Sequence, residues 1–342
     1  MSITTHERPG VYSDYDASTV ISTSGGGQTA GLVAVCAGGE AGTLYVINRY
    51  EEAATAFGQE ENLTELVRLL LLNGAAQVRA VPVTDESGYD AAFSLLAAEE
   101  NVALVLCDST DVTVQQKLRD SVCSASEARR ERIAVVCGGT EESVEDLIQR
   151  AGQLNSERVV LLAPGDDGCL LAAAVAGAIA GESDAALPLS GAELKGVSQT
   201  QAQYDDSEID TLVRGGVTPL ERVGGVVSVV RGITTRTKTG EVSDATWREL
   251  TTIRIVDDVI PTIRNALRAK FQRSKNTEQT RGAIRSQVIL ELENKLSREI
   301  ITGYENVTVQ ADAENPTVCL VEFSFTVAHG LNQIWLSAHI TV

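Results

Sequence analysis

Five short, nearly continuous apolar runs recur along the first part of the chain, with helical segments between them. The runs lie at residues 31–37, 77–83, 102–107, 133–137 and 159–163, and helical spacing covers residues 63–72, 89–99, 112–130 and 142–154. Strands of a parallel sheet have this composition because helices bury them on both faces. The pattern predicts a three-layer α/β domain over residues 23–225, ending in a turn-rich connecting segment from 181 to 225.

The pattern changes beyond residue 225. Strands are predicted at residues 226–234 and 248–255, helices at 258–272 and 281–302, and a hairpin at 306–311 and 317–328. Pro261 is expected in the opening turns of the first helix, and Gly303 is expected to end the second. This order predicts an α+β domain over residues 226–333.

Both ends of the chain have strand-like patterns. Residues 1–22 are predicted to form an extended arm because Pro9-Gly10 excludes a helix there, and residues 334–342 alternate with period two. The strand-forming residues of these arms are Val11, Tyr12, Val20, Ile334, Leu336, Ala338, Ile340 and Val342. Terminal strands need backbone partners, which a neighbouring chain can supply by strand addition. Pairing within one subunit is the alternative that the arms alone leave open.

The charge of the chain is large and unevenly distributed. The net charge of −19 argues against nucleic-acid binding. Residues 231–300 hold 14 of the 28 Lys and Arg but only 9 of the 47 Asp and Glu, a balance of +5. The remainder therefore has 14 basic and 38 acidic residues, a balance of −24. Such asymmetry indicates two surfaces with different partners.

Most of the basic excess falls in one cluster at the predicted end of one helix, the following loop and the start of the next helix. Its members are Arg264, Arg268, Lys270, Arg273, Lys275, Arg281 and Arg285. Only Glu278 supplies a counter-charge within this stretch. A solvated helix face is the plain interpretation. A docking surface for an acidic protein is the functional one.

Targeting and metal-binding signals are weak. No apolar run reaches the roughly 18 residues of a membrane span, and no basic-then-apolar leader is present, so we expect residence in a cytoplasm and no stable membrane insertion. The six cysteines are scattered without a C-x-x-C pair, which predicts buried reduced thiols and no metal centre.

Enzyme signals are weak as well. Residues 26–31 have the glycine spacing of a phosphate loop, but Leu32-Val33 replaces the required Lys-Ser/Thr. Asp166 and Asp167 follow a predicted strand, where a doubly wound fold places ligands, and two adjacent carboxylates there could hold Mg²⁺. A structural role for both is the favoured interpretation, because loops and helix N-caps commonly contain Asp. No cofactor is expected.

Several segments resemble contractile phage tail sheath proteins, the family that also serves R-type bacteriocins and other contractile injection systems. Residues 8–12 (RPGVY) resemble the family's opening, and residues 175–181 (VAGAIAG) resemble its small-residue segment. Residues 229–237, 248–250 and 253–258 are similar to the start of its C-terminal domain. The resemblance runs through nearly the whole chain in order.

The resemblance implies a structural role. It predicts a helical homo-polymer of rings around an inner tube, an inserted α/β domain facing outward, a C-terminal domain facing the tube, and strand exchange through both arms. It also implies that the basic cluster meets the tube, and that the inner tail tube, baseplate and tail terminator proteins are partners. The chain would be made in a bacterial cytoplasm and built into a tail or a released particle. A nucleotide-dependent α/β enzyme is the alternative function.

Overall fold

A mixed sheet flanked by helices forms the larger part of the molecule. The computed structural model describes residues 27–315 and 317–332, and the predicted arms at 1–22 and 334–342 lie outside these residues. Its strands are β1 (Thr29–Val35), β2 (Tyr45–Ile47), β3 (Gln77–Val83), β4 (Val102–Cys107), β5 (Ile133–Cys137), β6 (Val159–Ala163), β7 (Glu193–Leu194), β8 (Thr218–Val223) and β9 (Val226–Val229). Within the described residues they lie in the order β2-β3-β1-β4-β5-β6-β8-β9-β7.

The centre of this sheet is parallel. The pairs from β3 through β1, β4, β5 and β6 to β8 are parallel, and β2, β7 and β9 are antiparallel additions at the edges. Every residue of β5 and β6 is buried, as expected for strands covered on both faces. The predicted mixed α/β character is confirmed, and four of the five predicted strands have the predicted bounds.

Helices cover both faces of the sheet. They are α1 (Tyr50–Phe57), α2 (Asn62–Asn73), α3 (Tyr89–Ala98), α4 (Val112–Glu127), α5 (Val144–Leu154), α6 (Leu170–Gly181) and α7 (Asp206–Arg214). One buried cluster joins the sheet to α1, α2 and α6, and a second joins it to α3, α4, α5 and α7. These elements form three layers, which we call the α/β body. The sheet extends past the predicted boundary at residue 225, since β9 pairs with both β8 and β7.

The remaining elements form a separate part of the molecule that packs against the α/β body. They are β10 (Lys238–Thr239), β11 (Val242–Ser243), α8 (Leu250–Phe271), α9 (Glu278–Ser297), β12 (Ile301–Ala311) and β13 (Cys319–Val327). The strands β12 and β13 pair in an antiparallel hairpin, close to the predicted one. A third buried cluster joins α8, α9 and this hairpin.

The predicted strand at 248–255 is wrong, because these residues begin α8. Leu250 and Ile253 are buried in the core of the α/β body, whereas Ile255 and Val259 are buried in the third cluster. A helix that contacts two cores has apolar residues on two sides, and over a few residues this imitates strand alternation. Pro261 therefore lies in the interior of α8 instead of in its opening turns.

Two other predicted elements have wrong bounds. The run at 226–234 forms a strand only over Val226–Val229, and beyond it Ile233 makes a single bridge to Glu249. The last helix begins earlier than predicted, where Thr277 caps it by accepting a hydrogen bond from the Thr280 N–H at 3.2 Å. It also ends earlier, because Glu299 takes a left-handed φ of 58°. Gly303 consequently lies in β12.

Glycine permits an unusually close approach of α2 and α6 inside the body. A Cβ atom on Gly177 would lie 2.7 Å from the Leu70 carbonyl oxygen and 2.7 Å from the Asn73 Cβ. The left-handed Gly74 likewise has no room for a side chain, because its Cβ would lie 2.7 Å from the Gly181 Cα. The small residues at 175–181 therefore allow the two helices to contact each other through their backbones.

We predict that Gly177→Ala destabilises the protein by about 1–3 kcal/mol, because overpacking forces a closely packed core apart. Urea denaturation followed by circular dichroism measures the change. Gly152→Ala is the matched control, since a Cβ there meets no atom within 4 Å in the last turn of α5; it should leave stability unchanged or raise it by up to about 1 kcal/mol through helix propensity. Equal stability of the two variants would contradict the close-packing argument.

Candidate assembly surfaces

The first candidate surface is the β12–β13 hairpin, whose apolar side is incompletely covered. Burial along β13 alternates, with Val321, Phe323 and Phe325 on the inward side only half-buried. The rings of Phe323 and Phe325 stack with centroids 6.3 Å apart. Within the described residues β12 and β13 pair only with each other, so neither outer edge of this small sheet is covered by another described strand. Two strands with open edges are marginal as a sheet and can accept further strands.

The second candidate surface is the tip of the α8–α9 hairpin, where five members of the basic cluster lie. Lys270, Arg273, Lys275 and Arg285 are exposed there, and Arg281 is partly exposed. The Lys270 ammonium contacts the Gln287 side chain. Arg273 and Lys275 have no ion pair with any described residue.

Hydrogen bonds hold this tip against the β12–β13 hairpin. The Arg281 guanidinium donates to Asn276 Oδ1 at 2.9 Å, and the Asn276 amide donates to the Val318 carbonyl at 3.1 Å. The Arg285 guanidinium donates to the Val307 carbonyl at 2.8 Å. The Arg281 and Arg285 guanidiniums thus bond to neutral groups, and neither forms an ion pair with an acid of the described residues.

The other two members of the basic cluster lie elsewhere. Arg264 forms an ion pair with Glu131 of the α/β body at 2.6 Å, and both Arg264 and Arg268 line a cleft of about 510 Å³ between α8 and the amino ends of β4 and β5. The cluster is continuous in sequence, but the fold divides it between a cleft and a tip. Contact of either group with a tube remains a prediction.

Sequence reasoning missed further arginines of this cleft. Arg129, Arg130 and Arg132 precede β5 and line the same cleft. The signal was the run Arg129-Arg130-Glu131-Arg132 directly before an apolar strand, because loops before parallel strands all meet at one end of the sheet.

A doubly wound fold binds nucleotides at the carboxyl ends of its parallel strands, so the geometry there bears on the enzyme alternative. At the junction between β1 and β4, the Asp108 carboxylate accepts from the Val35 N–H at 3.0 Å and from the Tyr89 hydroxyl. A Cβ on Gly38 would lie only 1.9 Å from the Phe57 carbonyl oxygen. The turn after β1 is therefore packed against the end of α1. The adjacent turn after β4 carries the Asp108 carboxylate, where a bound phosphate would need positive charge. Neither feature suits a phosphate-binding site.

Asp166 and Asp167 also occupy different environments. Asp166 is 7% exposed and accepts a hydrogen bond from the Leu171 N–H at 3.0 Å, whereas Asp167 is exposed. Burial raises the pKa of the Asp166 carboxyl to about 6. Among residues 27–315 and 317–332, no three Cys, His, Asp or Glu side chains form a group that could hold a metal ion. In the same residues, no helix is both long and apolar enough to span a membrane.

Comparison with known families gives two matches that together cover both parts of the chain. The phage tail sheath protein central domain matches residues 85–235, and the phage tail sheath C-terminal domain matches residues 242–341. The chain belongs to the phage tail sheath family. The border between the two matches falls after β9, which agrees with the inclusion of β9 in the large sheet.

Individual relatives agree with the family. A tail sheath protein of Bacillus phage SP01 is 28% identical over 253 residues, which cover 70% of this chain and 43% of that protein. The chain therefore matches less than half the length of this curated relative. The contracted helical sheath of the anti-feeding prophage has the same fold, with a TM-score of 0.72 and 17% identity over 98% of this chain and 99% of that one. A subunit of the anti-feeding prophage baseplate superposes with a TM-score of 0.75 and 16% identity, over 99% of this chain and 100% of that one. These comparisons favour a structural role and give no support to the enzyme alternative.

We predict that Asp166→Asn removes a fall in stability with rising pH. The pKa of folded Asp166 lies near 6, above its ordinary value of 3.8, so the folded state binds the proton more tightly. Its contribution is complete below pH 4 and is lost as pH rises through 6, by about 3 kcal/mol in total. Urea denaturation at pH 4.5, 6 and 8 should therefore show a shallower decline in the variant. Asp167→Asn, at the exposed neighbour, should keep the wild-type decline, and an unchanged slope in Asp166→Asn would contradict the assignment.

Proposed function

We propose that the chain is the repeating structural subunit of a contractile sheath. It polymerises as helical rings around an inner tube, and contraction of the sheath drives the tube through a target envelope. Membership of the tail sheath family across both parts of the chain carries this proposal. The subunit is made in a bacterial cytoplasm and becomes part of an assembled tail or released particle.

Strand exchange is the proposed link between subunits. The half-covered apolar side and open edges of the β12–β13 hairpin support it, because added strands would cover Phe323 and Phe325 and satisfy the edge backbone. The added strands would come from residues 1–22 and 334–342 of neighbouring copies. Such links are backbone hydrogen bonds, which tolerate many side chains and can persist while subunits rotate.

Besides its own copies, the proposed partners are the inner tube, baseplate and tail terminator proteins. The superposition on a subunit of the anti-feeding prophage baseplate supports contact with a baseplate. The tip of the α8–α9 hairpin is proposed to face the tube. Electrostatic contacts suit a surface that must hold the extended sheath in register and then release it, since they are screened and contain no large apolar seam.

We expect deletion of residues 2–20 or 334–342 to leave a folded subunit that makes no long cylinders. The three buried clusters lie within residues 30–307, so the cores remain while the proposed strand partners are lost. Circular dichroism checks the fold, and negative-stain electron microscopy checks assembly.

A full-length variant separates strand pairing from simple shortening. Leu336→Pro with Ile340→Pro keeps the length but removes two backbone donors, so it should fail like the deletion. Leu336→Val with Ile340→Val is the matched control and should assemble normally. Contractile cylinders from the truncated or proline-bearing chains would exclude strand exchange by the arms.

For the tube contact, we expect Arg273→Glu with Lys275→Glu to weaken co-assembly on purified tubes by about tenfold, since like charges would then face each other. Raised salt should weaken wild-type co-assembly in the same direction. Co-sedimentation of sheath subunits with tubes measures the effect. Arg298→Glu, exposed at the opposite end of α9, is a control for charge reversal away from the tip and should co-assemble normally. Normal co-assembly by the double reversal would place the tube contact elsewhere.

A further inference from the structure

We propose that the arginine-lined cleft beside α8 binds the acidic end of the α/β body of a second copy, so that bodies associate head to tail. This inference rests on the proposed polymer and identifies a contact between subunits that is separate from the arms and from the tube.

The cleft contains more positive charge than its own acids neutralise. Six arginines and five acids line it. Three of these acids are already paired, because Asp257 binds Arg158, Asp258 binds Lys295 and Glu131 binds Arg264. Since Arg158 and Lys295 lie outside the lining, five arginines of the cleft face only two remaining acids, an excess of three positive charges.

Two of these five arginines are structural, and three are available. The Arg132 guanidinium donates to the carbonyls of Leu96 and Glu99, and the buried Arg254 also donates to backbone carbonyls. Arg129, Arg130 and Arg268 have no ion pair with any described residue. The Arg130 Nε is buried and has no hydrogen-bond partner in the part of the chain that the structure describes. Arg129 and Arg268 are exposed at the cleft.

The opposite end of the α/β body is acidic. Five loops follow the carboxyl ends of β1, β3, β4, β5 and β6, at residues 36–44, 84–88, 108–111, 138–143 and 164–169. Together they contain nine acids and no Lys or Arg. The nine are Glu40, Asp85, Glu86, Asp108, Asp111, Glu141, Glu142, Asp166 and Asp167.

Several of these acids are free to contact a partner. Glu40, Asp85, Glu86, Glu141 and Asp167 are exposed, and no described cation pairs with them. Hydrogen bonds from Ser87 hold the pKa of the Asp85 carboxyl below its usual value, so it is ionised at neutral pH. The exposed loops therefore form a negative surface that matches the positive cleft.

The parallel sheet fixes the relation between the two surfaces. The acidic loops follow the carboxyl ends of its strands, and the cleft lies at the amino ends of β4 and β5. They therefore lie at opposite ends of one body and cannot meet within one subunit. Two complementary surfaces on opposite ends give a heterologous contact, which repeats along a chain of copies instead of closing a dimer. A second copy is thus the occupant that the charges and the topology favour.

Charge reversal on each side tests this contact with the purified full-length chain and no tube. The cleft variant is Arg129→Glu with Arg268→Glu. The variant of the acidic loops, called the edge variant, is Glu86→Lys with Glu141→Lys and Asp167→Lys. Each alone should raise the critical concentration for cylinder formation by about tenfold, measured by sedimentation and electron microscopy. An equimolar mixture of the two variants should return to within about threefold of wild type, because each supplies the charge that the other lacks. One chain carrying all five changes should recover similarly.

Matched reversals on outer helices test whether net charge alone is responsible. Lys117→Glu with Arg214→Glu changes the charge as the cleft variant does, on exposed positions of α4 and α7, and should assemble like wild type. Two results would overturn the head-to-tail contact while leaving the sheath function intact. The first is a cleft variant that assembles at the critical concentration of the wild type. The second is a lack of recovery both in the mixture and in the chain that carries all five changes. Failure of the wild-type chain to form cylinders would instead count against the proposed function. The contact would then be tested by direct binding: the cleft variant should bind the edge variant more tightly than it binds itself, and equal affinities would overturn the contact.

Discussion

The bidentate ion pair between Arg158 and Asp257 ties the α/β body to α8. Its two contacts measure 2.9 and 3.0 Å, and both side chains are largely buried where the body meets α8. Removing one partner of such a buried pair costs about 3–5 kcal/mol, because the other charge is left unpaired away from water. Together with the buried Leu250 and Ile253, the pair holds α8 against the body, and the cleft, the α8–α9 tip and the β12–β13 hairpin depend on that placement.

The α/β body was predictable because its strands are buried on both faces. A strand such as β5 has no solvent side, so its residues are all apolar and its ends coincide with the ends of the run. The start of α8 was not predictable in this way. Leu250 and Ile253 face one core while Ile255 faces another, and no local pattern shows that two separate cores exist. The helix was therefore placed eight residues too late.

The basic cluster shows a second limit of sequence reasoning. Seven Lys and Arg residues within a stretch of 22 indicate a positively charged surface. Whether each charge stays unneutralised depends on ion pairs with residues that are distant in sequence. Arg264 is neutralised by Glu131, which is 133 positions away, whereas Arg273 has no ion pair with a described residue. The arginines before β5 were missed because Glu127 and Glu131 make the local charge look balanced, and only the fold brings them beside α8.

The backbone contact between α2 and α6 has a mechanical consequence. Between Gly177 and Leu70 there is no room for a single additional methyl group, so these helices have no alternative packing into which they can slide. Closely packed interiors resist compression and transmit strain. The α/β body should thus act as a stiff lever when a load is applied at one of its ends. In the proposed polymer, elastic deformation would therefore be concentrated in the linkages between bodies, and the core of each body would stay intact while those linkages store and return mechanical work.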